Sequence, residues 1–255
     1  MVRQTHHERE NAHPELVEGP TGSPRCFDQD QCLVVPLGTV EYTRALELQR
    51  RLHRQVADGT LTDLLLLLEH PHVYTLGRRG KDSDVLESEQ TLARLGAEVH
   101  CADRGGEVTY HGPGQLVGYP IVDLRRWGGG PLAYVQALED TLVATLRDFG
   151  IHAESGDKPT GVWVADAKIG AIGVKIGRRV TMHGFALNVV PDLSYFEHIV
   201  PCGMPETEVT SMATLRTEDV TVNEVATVLT ERFGATFGLH METVTPESIG
   251  AVAAV

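Results

Sequence analysis

The chain has 255 residues, enough for one large domain or two small ones with a substantial core. Apolar residues make up 42% and charged residues 22% of the sequence, ordinary globular values that exclude wholesale disorder. Lys and Arg total 22 against 35 Asp and Glu, which gives a formal net charge of -13. An acidic chain of this kind excludes nucleic acid as the main partner, because phosphates require a basic surface. The most apolar run, Leu64 to Leu68, is far too short for a membrane span, so no membrane partner is expected.

The N-terminal segment Met1 to Arg25 mixes His, Glu, Pro and Gly without apolar periodicity. This composition predicts a solvated tail, and we place a disordered N-terminal extension at 1–31. The first residues show no apolar segment typical of a secretory signal, and the four cysteines have no CxxC spacing. Both features favour a cytoplasmic protein, in which free thiols are usually packing residues.

Order is predicted to begin near Cys32, where Cys-Leu-Val-Val is typical of a short strand. A helix is expected from Thr39, because apolar residues recur at helical spacing as far as Val56 and Gly59 stands where a terminating glycine belongs. The apolar run Leu64–Leu68 predicts a buried strand.

A second helix is predicted to begin at Pro131 and to end at Gly150. Its expected apolar stripe consists of Leu132, Val135, Leu138, Leu142, Leu146 and Phe149. A third helix should begin at Thr221, since Glu224 three residues later completes a capping box.

Six further strands, separated by glycines, are predicted between these helices. They are Glu98–Ala102, Val108–His111, Leu116–Val122, Val162–Val164, Ile169–Ile176 and Val180–Val189. Strands and helices that alternate in this way indicate an α/β (α+β) fold with a mixed β-sheet flanked by helices. With no repeat and no long internal linker, we expect one domain at 32–240 and a C-terminal tail at 241–255.

The most unusual segment is RGGEVTYHGPGQ, residues 104–115, in which four glycines flank a short strand. Glycines allow a backbone to approach a ligand closely, so this segment is predicted to line a binding site, although a tight hairpin with a bulge would also use them. The spacing does not match a nucleotide P-loop.

Two further segments carry reactive side chains. Lys168 leads the strand-like run KIGAIGVK, where it either reaches solvent at a sheet edge or acts as a base in a partly dry pocket. Cys202 lies between Pro201 and Gly203, so its thiol is expected on a turn, where a nucleophile would be presented. His183 and Lys168 are both candidate bases for this thiol, and the spacing does not choose between them.

Together these segments resemble the lipoyl(octanoyl) transferases, the octanoyl-acyl carrier protein:protein N-octanoyltransferases. The stretches RGGEVTYHGPGQLVGYPIVDL, AKIGAIGVKI, HGFALN and IVPCGM match the family pattern in order and spacing. Weaker agreement, including LLLLLEHPHVYTLGRRG, extends the likeness from about residue 33 to about residue 238. The resemblance implies a biotin/lipoyl protein ligase-like fold around a tunnel for a medium-length acyl chain.

The resemblance also implies site residues and a reaction. Cys202 corresponds to the acyl-thioester nucleophile and Lys168 to its pKa-lowering partner and proton shuttle, so His183 is expected to be structural or part of the wall. The implied substrate-binding residues are Arg104, Gly105, Gly106, Glu107, Val108, Thr109, Tyr110, His111, Ala171, Ile172, Gly173, Gly184, Phe185 and Ala186. No metal and no cofactor are expected.

The implied reaction is the first step of endogenous protein lipoylation. The donor would be octanoyl-acyl carrier protein, and the acceptors would be lipoyl domains of 2-oxoacid dehydrogenase E2 subunits and the glycine cleavage H protein. The alternatives are an ATP-dependent lipoate or biotin-type ligase, a cysteine hydrolase using Cys202 and His183, and a non-catalytic module that binds acyl groups or carrier proteins.

Overall fold

The computed structural model describes residues 30–200 and 207–251. Nearly all of the predicted N-terminal extension, the end of the C-terminal tail and Cys202 lie outside these residues. Within the described part of the chain, no helix combines the length and the apolar character that crossing a membrane would require.

Two β-sheets form the framework of the described chain. Its strands are β1 (Gln31–Thr39), β2 (Asp63–Glu69), β3 (Val73–Leu76), β4 (Glu98–Cys101), β5 (Val108–His111), β6 (Gln115–Ile121), β7 (Val162–Val164), β8 (Ala167–Gly177), β9 (Val180–Asn188) and β10 (His240–Thr243). The larger sheet has the order β10-β1-β2-β6-β9-β8-β7, and the smaller has the order β4-β3-β5. Parallel pairs occur at β10–β1, β1–β2 and β3–β4, and the remaining pairs are antiparallel, so the predicted mixed sheet is confirmed.

The α-helices of the described residues are α1 (Tyr42–Ala57), α2 (Glu89–Arg94), α3 (Leu124–Trp127), α4 (Pro131–Asp148), α5 (Met212–Leu215) and α6 (Val222–Phe237). Short 3-10 helices lie at Asp82–Asp84, Leu193–His198 and Pro246–Ile249. The three predicted helices correspond to α1, α4 and α6, and all six predicted inter-helix strands are present within two residues at either end.

Strand β2 divides the core into two layers, because its side chains alternate between the faces of the larger sheet. Leu65 and Leu67 pack in the cluster that contains α4 and α6, whereas Leu64, Leu66 and Leu68 pack in the cluster that contains α1. The continuous run of leucines therefore reflects a strand covered on both faces.

Helix α1 covers one face of the larger sheet with the predicted apolar positions. Ala45, Leu52 and Val56 are fully buried there, and Gly59 adopts a φ of 71° after the helix. Truncating one buried leucine such as Leu52 to alanine would lower the free energy of unfolding by about 3 kcal/mol.

Helices α4 and α6 cover the opposite face. Pro131 occupies the first turn of α4, and Thr221 with Glu224 forms the predicted capping box of α6. The predicted stripe of α4 is wrong at one position, since Leu132 is 87% exposed. Leu132 lies in the first turn of α4, and burial on this helix begins at Tyr134.

Two parts of the fold differ from expectation. Strand β3 was not predicted; it follows the short turn at Pro71 and pairs with both β4 and β5. The predicted C-terminal tail is packed as far as it is described, because β10 extends the larger sheet beside β1 and Ile249 and Ala251 are buried. The division into domains stays a prediction.

Candidate active site

A cavity of about 740 Å³ opens between the smaller sheet, strands β8 and β9, and the start of α4. Its volume falls within the range of about 300–1,000 Å³ that is typical of small-molecule sites. The lining residues are Tyr42, Arg79, Arg104, Gly105, Gly106, Glu107, Val108, Thr109, His111, Tyr119, Leu132, Val135, Gln136, Glu139, Gly156, Lys158, Pro159, Thr160, Lys168, Ala171, Ile172, Gly173, Val174, His183, Gly184, Phe185 and Ala186. This set combines apolar walls with a few charged and hydrogen-bonding groups.

The predicted substrate-binding residues line this cavity with one exception, Tyr110. Its ring points to the other side of β5, as strand alternation requires for the residue between Thr109 and His111. There its hydroxyl lies 2.8 Å from Nδ1 of His72, and its ring stacks on Tyr195 with 5.1 Å between centroids. Tyr110 therefore packs on the side of β5 that faces away from the cavity. Substrate binding by the other residues stays a prediction.

The segment 104–107 is fixed in place by the buried guanidinium of Arg104. Its Nη2 donates hydrogen bonds to the carbonyl and to Oγ1 of Thr75, at 2.6 and 2.8 Å. The N–H of Gly105 donates to the carbonyl of Val174 at 2.9 Å, which attaches the same segment to β8.

Glycines allow the backbones to meet at this point. A Cβ on Gly77 would lie 2.4 Å from the carbonyl oxygen of Gly106, and a Cβ on Gly173 would lie 3.0 Å from that of Gly105. Gly106 itself has a φ of 86°, in the region that favours glycine. The glycine-rich composition of this segment thus results from close approach of three chain segments at the cavity wall.

Lys168 lies on the cavity wall near the start of β8 and is 6% exposed. Its Nζ donates a hydrogen bond to the carbonyl of Thr160 at 3.2 Å and lies 4.8 Å from the centroid of the Trp163 ring. The sequence left two positions open for this lysine, a solvated sheet edge and a partly dry pocket. The structure places it in the cavity.

The backbone of Lys168 is bound to the segment that follows the IVPCGM motif. Its N–H donates to the carbonyl of Glu208 at 2.8 Å, and its carbonyl accepts from the N–H of Thr210 at 3.0 Å. The predicted nucleophile Cys202 lies outside the described residues, six positions before Glu208 in the sequence.

His183 also lines the cavity, and a hydrogen bond fixes its backbone. Its backbone N–H donates to Oε1 of Gln49 at 2.8 Å, and its φ of 58° is unusual for a residue other than glycine. Burial lowers the pKa of His183, and the neighbouring Asp103 carboxylate opposes this effect.

A buried polar chain extends from the cavity wall to the segment after residue 206. Nδ1 of His111 lies 2.8 Å from Oε1 of Gln115, whose amide donates to Asn188 at 2.9 Å. Asn188 in turn donates to the carbonyl of Thr210 at 2.9 Å. Burial, with the nearby His70, lowers the pKa of His111 to about 3, so His111 is neutral near pH 7.

Several cavity residues were not predicted from the sequence. Among them Glu139 had a detectable signal, because it is a carboxylate on the buried face of α4 next to Leu138, where an acidic residue needs a partner. Tyr42, Arg79 and Thr160 come from separate elements that only the tertiary structure brings to the cavity.

Known proteins of one family match this chain. The profile described as "Lipoyl protein ligase A/B catalytic domain" matches residues 41–234. The chain is 51% identical over 210 residues to an octanoyltransferase of Solibacter usitatus, an alignment that covers 82% of this chain and 94% of that protein. It is also 44% identical over 217 residues to a mitochondrial octanoyltransferase of Arabidopsis thaliana, with coverage of 83% and 90%.

A solved structure confirms the predicted fold. The bipartite lipoate protein ligase of Thermoplasma acidophilum superimposes with a TM-score of 0.69, covering 86% of this chain and 90% of that chain. At 18% identity this likeness concerns the fold alone. The family profile and the two relatives are more specific: the chain belongs to the lipoyl protein ligase A/B catalytic-domain family and, within it, to the octanoyltransferases, which are acyltransferases.

Proposed function

We propose that the chain transfers an octanoyl group from octanoyl-acyl carrier protein to a lysine of a lipoyl domain, through a thioester on Cys202. The observation that supports this most directly is the position of Lys168. Its side chain lines the cavity, while its backbone is hydrogen-bonded on both sides to residues 208 and 210, a few positions after the IVPCGM motif.

The first half of the reaction forms the acyl-enzyme. The Lys168 ammonium favours the thiolate of Cys202, which attacks the carbonyl carbon of the octanoyl thioester. The carbon–sulfur bond to pantetheine breaks, and the departing thiolate takes a proton from Lys168. One thioester replaces another, so little free energy separates the two sides.

The second half forms the amide. The ammonium of the target lysine gives a proton to the neutral Lys168, and the resulting amine attacks the acyl carbon of the thioester. Cys202 leaves as a thiolate while the remaining proton on nitrogen passes to water. Both residues thereby return to their starting states.

The cavity supports the oxyanion and the acyl chain. Backbone N–H groups of the glycine-rich segments 104–106 and 171–173 are the candidate oxyanion donors, apart from that of Gly105, which is bonded to Val174. Preorganised donors stabilise developing charge most strongly in a dry site. Ile172 and Phe185 offer apolar surface to the acyl chain. We infer acceptors of the kinds that the sequence indicates, namely E2 lipoyl domains and glycine cleavage H protein, and a cytoplasmic location stays a prediction.

Intact mass spectrometry tests this proposal. Mixing the protein with octanoyl-acyl carrier protein, without ATP, should add one octanoyl group that hydroxylamine removes. Adding a lipoyl domain should then move the group to that domain. An absolute requirement for ATP would favour a ligase, octanoate release without an amine acceptor would favour a hydrolase, and failure to form any adduct would favour a binding module.

A further inference from the structure

One peptide unit lies between two oppositely charged side chains of the cavity wall. The N–H of Gly161 donates to Oε1 of Glu139 at 2.9 Å, and the carbonyl of Thr160 accepts from Nζ of Lys168 at 3.2 Å. These two groups belong to the same peptide, in which the C=O and the N–H point in opposite directions. Glu139 and Lys168 therefore bind the two ends of one dipole.

This arrangement is built into the local fold. Glu139 is on α4 and is 5% exposed, whereas Lys168 is on β8 and is 6% exposed. Gly161 has a φ of 135°, and a Cβ at this position would lie 3.1 Å from Cε of Lys168 and 2.7 Å from the carbonyl oxygen of Gly170. Only glycine allows the peptide to pass so close to the lysine side chain.

Electrostatics favour the same orientation. A carboxylate at the N–H end of a peptide and an ammonium at its carbonyl end polarise the peptide in the same sense, which strengthens both hydrogen bonds. Burial raises the pKa of the Glu139 carboxyl, and the Gly161 N–H and Lys168 oppose this rise, whereas the neighbouring Asp140 adds to it. Glu107, on the opposite wall, also interacts electrostatically with Lys168.

We propose that Glu139 is a positioning residue for Lys168: it holds the Thr160–Gly161 peptide by its N–H, and the carbonyl of that peptide holds the lysine ammonium. In this role Glu139 acts through the peptide and Lys168. The consequence for the reaction rests on the proposed function, in which Lys168 moves the proton. The structural relationship itself can be tested without any enzymatic transfer of an octanoyl group.

The test measures the reactivity of the Lys168 amine. The protein is treated with trace acetic anhydride near pH 8, and acetylation of Lys168 is quantified by peptide mass spectrometry relative to the exposed Lys81. The compared proteins are the unmodified chain, Glu139→Ala, Glu139→Gln and the control Asp140→Asn. The control makes the same carboxylate-to-amide change at the next residue of α4, which is exposed.

Glu139→Ala removes both the hydrogen-bond acceptor and the charge, so Lys168 should be acetylated about tenfold faster. Glu139→Gln keeps an acceptor for Gly161 and should give a smaller increase, about threefold. Asp140→Asn should match the unmodified chain. Equal acetylation of Lys168 in all four proteins would overturn the proposal, and so would an increase of the same size in Asp140→Asn.

Kinetics give a second and independent readout. In octanoyl transfer, kcat should fall about tenfold in Glu139→Ala and less in Glu139→Gln, with KM for the octanoyl donor within about twofold of the unmodified value. A change confined to KM would overturn the positioning role. If the unmodified protein transferred no octanoyl group, the proposed function would fail while the acetylation ratios would still decide the role of Glu139.

Discussion

Nε2 of His183 lies 2.8 Å from Oδ1 of Asp103, while the other oxygen of the same carboxylate pairs with Lys175. Burial alone would raise the pKa of Asp103, but the hydrogen bonds from Lys175 and His183 outweigh it and hold this pKa well below its ordinary value. Asp103 thus connects β9, β8 and the segment that leads into the cavity wall.

The first prediction concerns this carboxylate. Asp103→Asn should lower Tm at pH 7 by about 2–4 °C, because the ionised form is favoured in the folded state. Since the folded pKa is depressed, this stabilisation is present above the unfolded value of about 4 and is lost as the pH falls further. The difference in Tm between the two proteins should therefore shrink below about pH 4, and a constant difference would contradict the ionic role.

The second prediction concerns His70, whose Nε2 lies 2.7 Å from the hydroxyl of Tyr119. Burial lowers the pKa of His70 to about 4. The unfolded chain therefore binds a proton before the folded chain does, and stability falls as the pH drops below about 6.5. This single histidine should remove about 1.5 kcal/mol of unfolding free energy between pH 6.5 and pH 5.

Urea unfolding at both pH values measures this loss. His70→Gln should lose less stability on acidification than the unmodified chain, whatever its stability at pH 7. The exposed His152 provides the matched control, and His152→Gln should behave like the unmodified chain. Equal losses in His70→Gln and the unmodified chain would show that His70 is protonated in the folded protein.

The third prediction concerns the chemistry of Lys168. Lys168→Arg should reduce octanoyl transfer nearly as much as Lys168→Ala, by about 100-fold or more, because arginine keeps its charge but does not release a proton. Alkylation of Cys202 by iodoacetamide should survive better in the arginine variant than in the alanine variant. Near-normal transfer by Lys168→Arg would leave Lys168 a purely electrostatic role.

The fourth prediction identifies the nucleophile. Cys202→Ser should abolish transfer, since a serine hydroxyl is far less ionised than a cysteine thiol near neutral pH. Cys32 is buried and Cys101 is exposed, and replacing either by alanine, or Cys26 by serine, should leave transfer within about twofold of the unmodified rate. If a folded variant of one of these three cysteines lost transfer, that cysteine and not Cys202 would be the candidate nucleophile.

Helical periodicity predicted α1, α4 and α6 well, because each buries one continuous stripe against the larger sheet. The same reasoning failed at Leu132, since a periodic stripe does not show where the partner surface ends. Strand β3 was not predicted because it has only four residues and follows β2 after a short turn. Its pairing partners lie about 25 and 35 residues further on, so no local pattern indicates the strand.

The candidate site was predictable where it is contiguous in sequence. The wall segment 104–109 and the short stretches of β8 and β9 carry glycines that signal close backbone approach. Glu139 and Thr160 could not be assigned in this way, because their relation to Lys168 depends on how α4 packs beside β8. Tyr110 shows a further limit, since membership of a motif does not fix the side of the strand to which a ring points.

The pairing of β10 with β1 covers one edge of the larger sheet. Gln31 pairs with His240 across more than two hundred residues, so the larger sheet is completed only after residues 240–243 have been synthesised. Until then, or in a chain shortened before residue 240, the apolar β1 would present unpaired N–H and C=O groups along an open sheet edge. Such an edge recruits strands from other molecules, so β10 acts as a cover against aggregation.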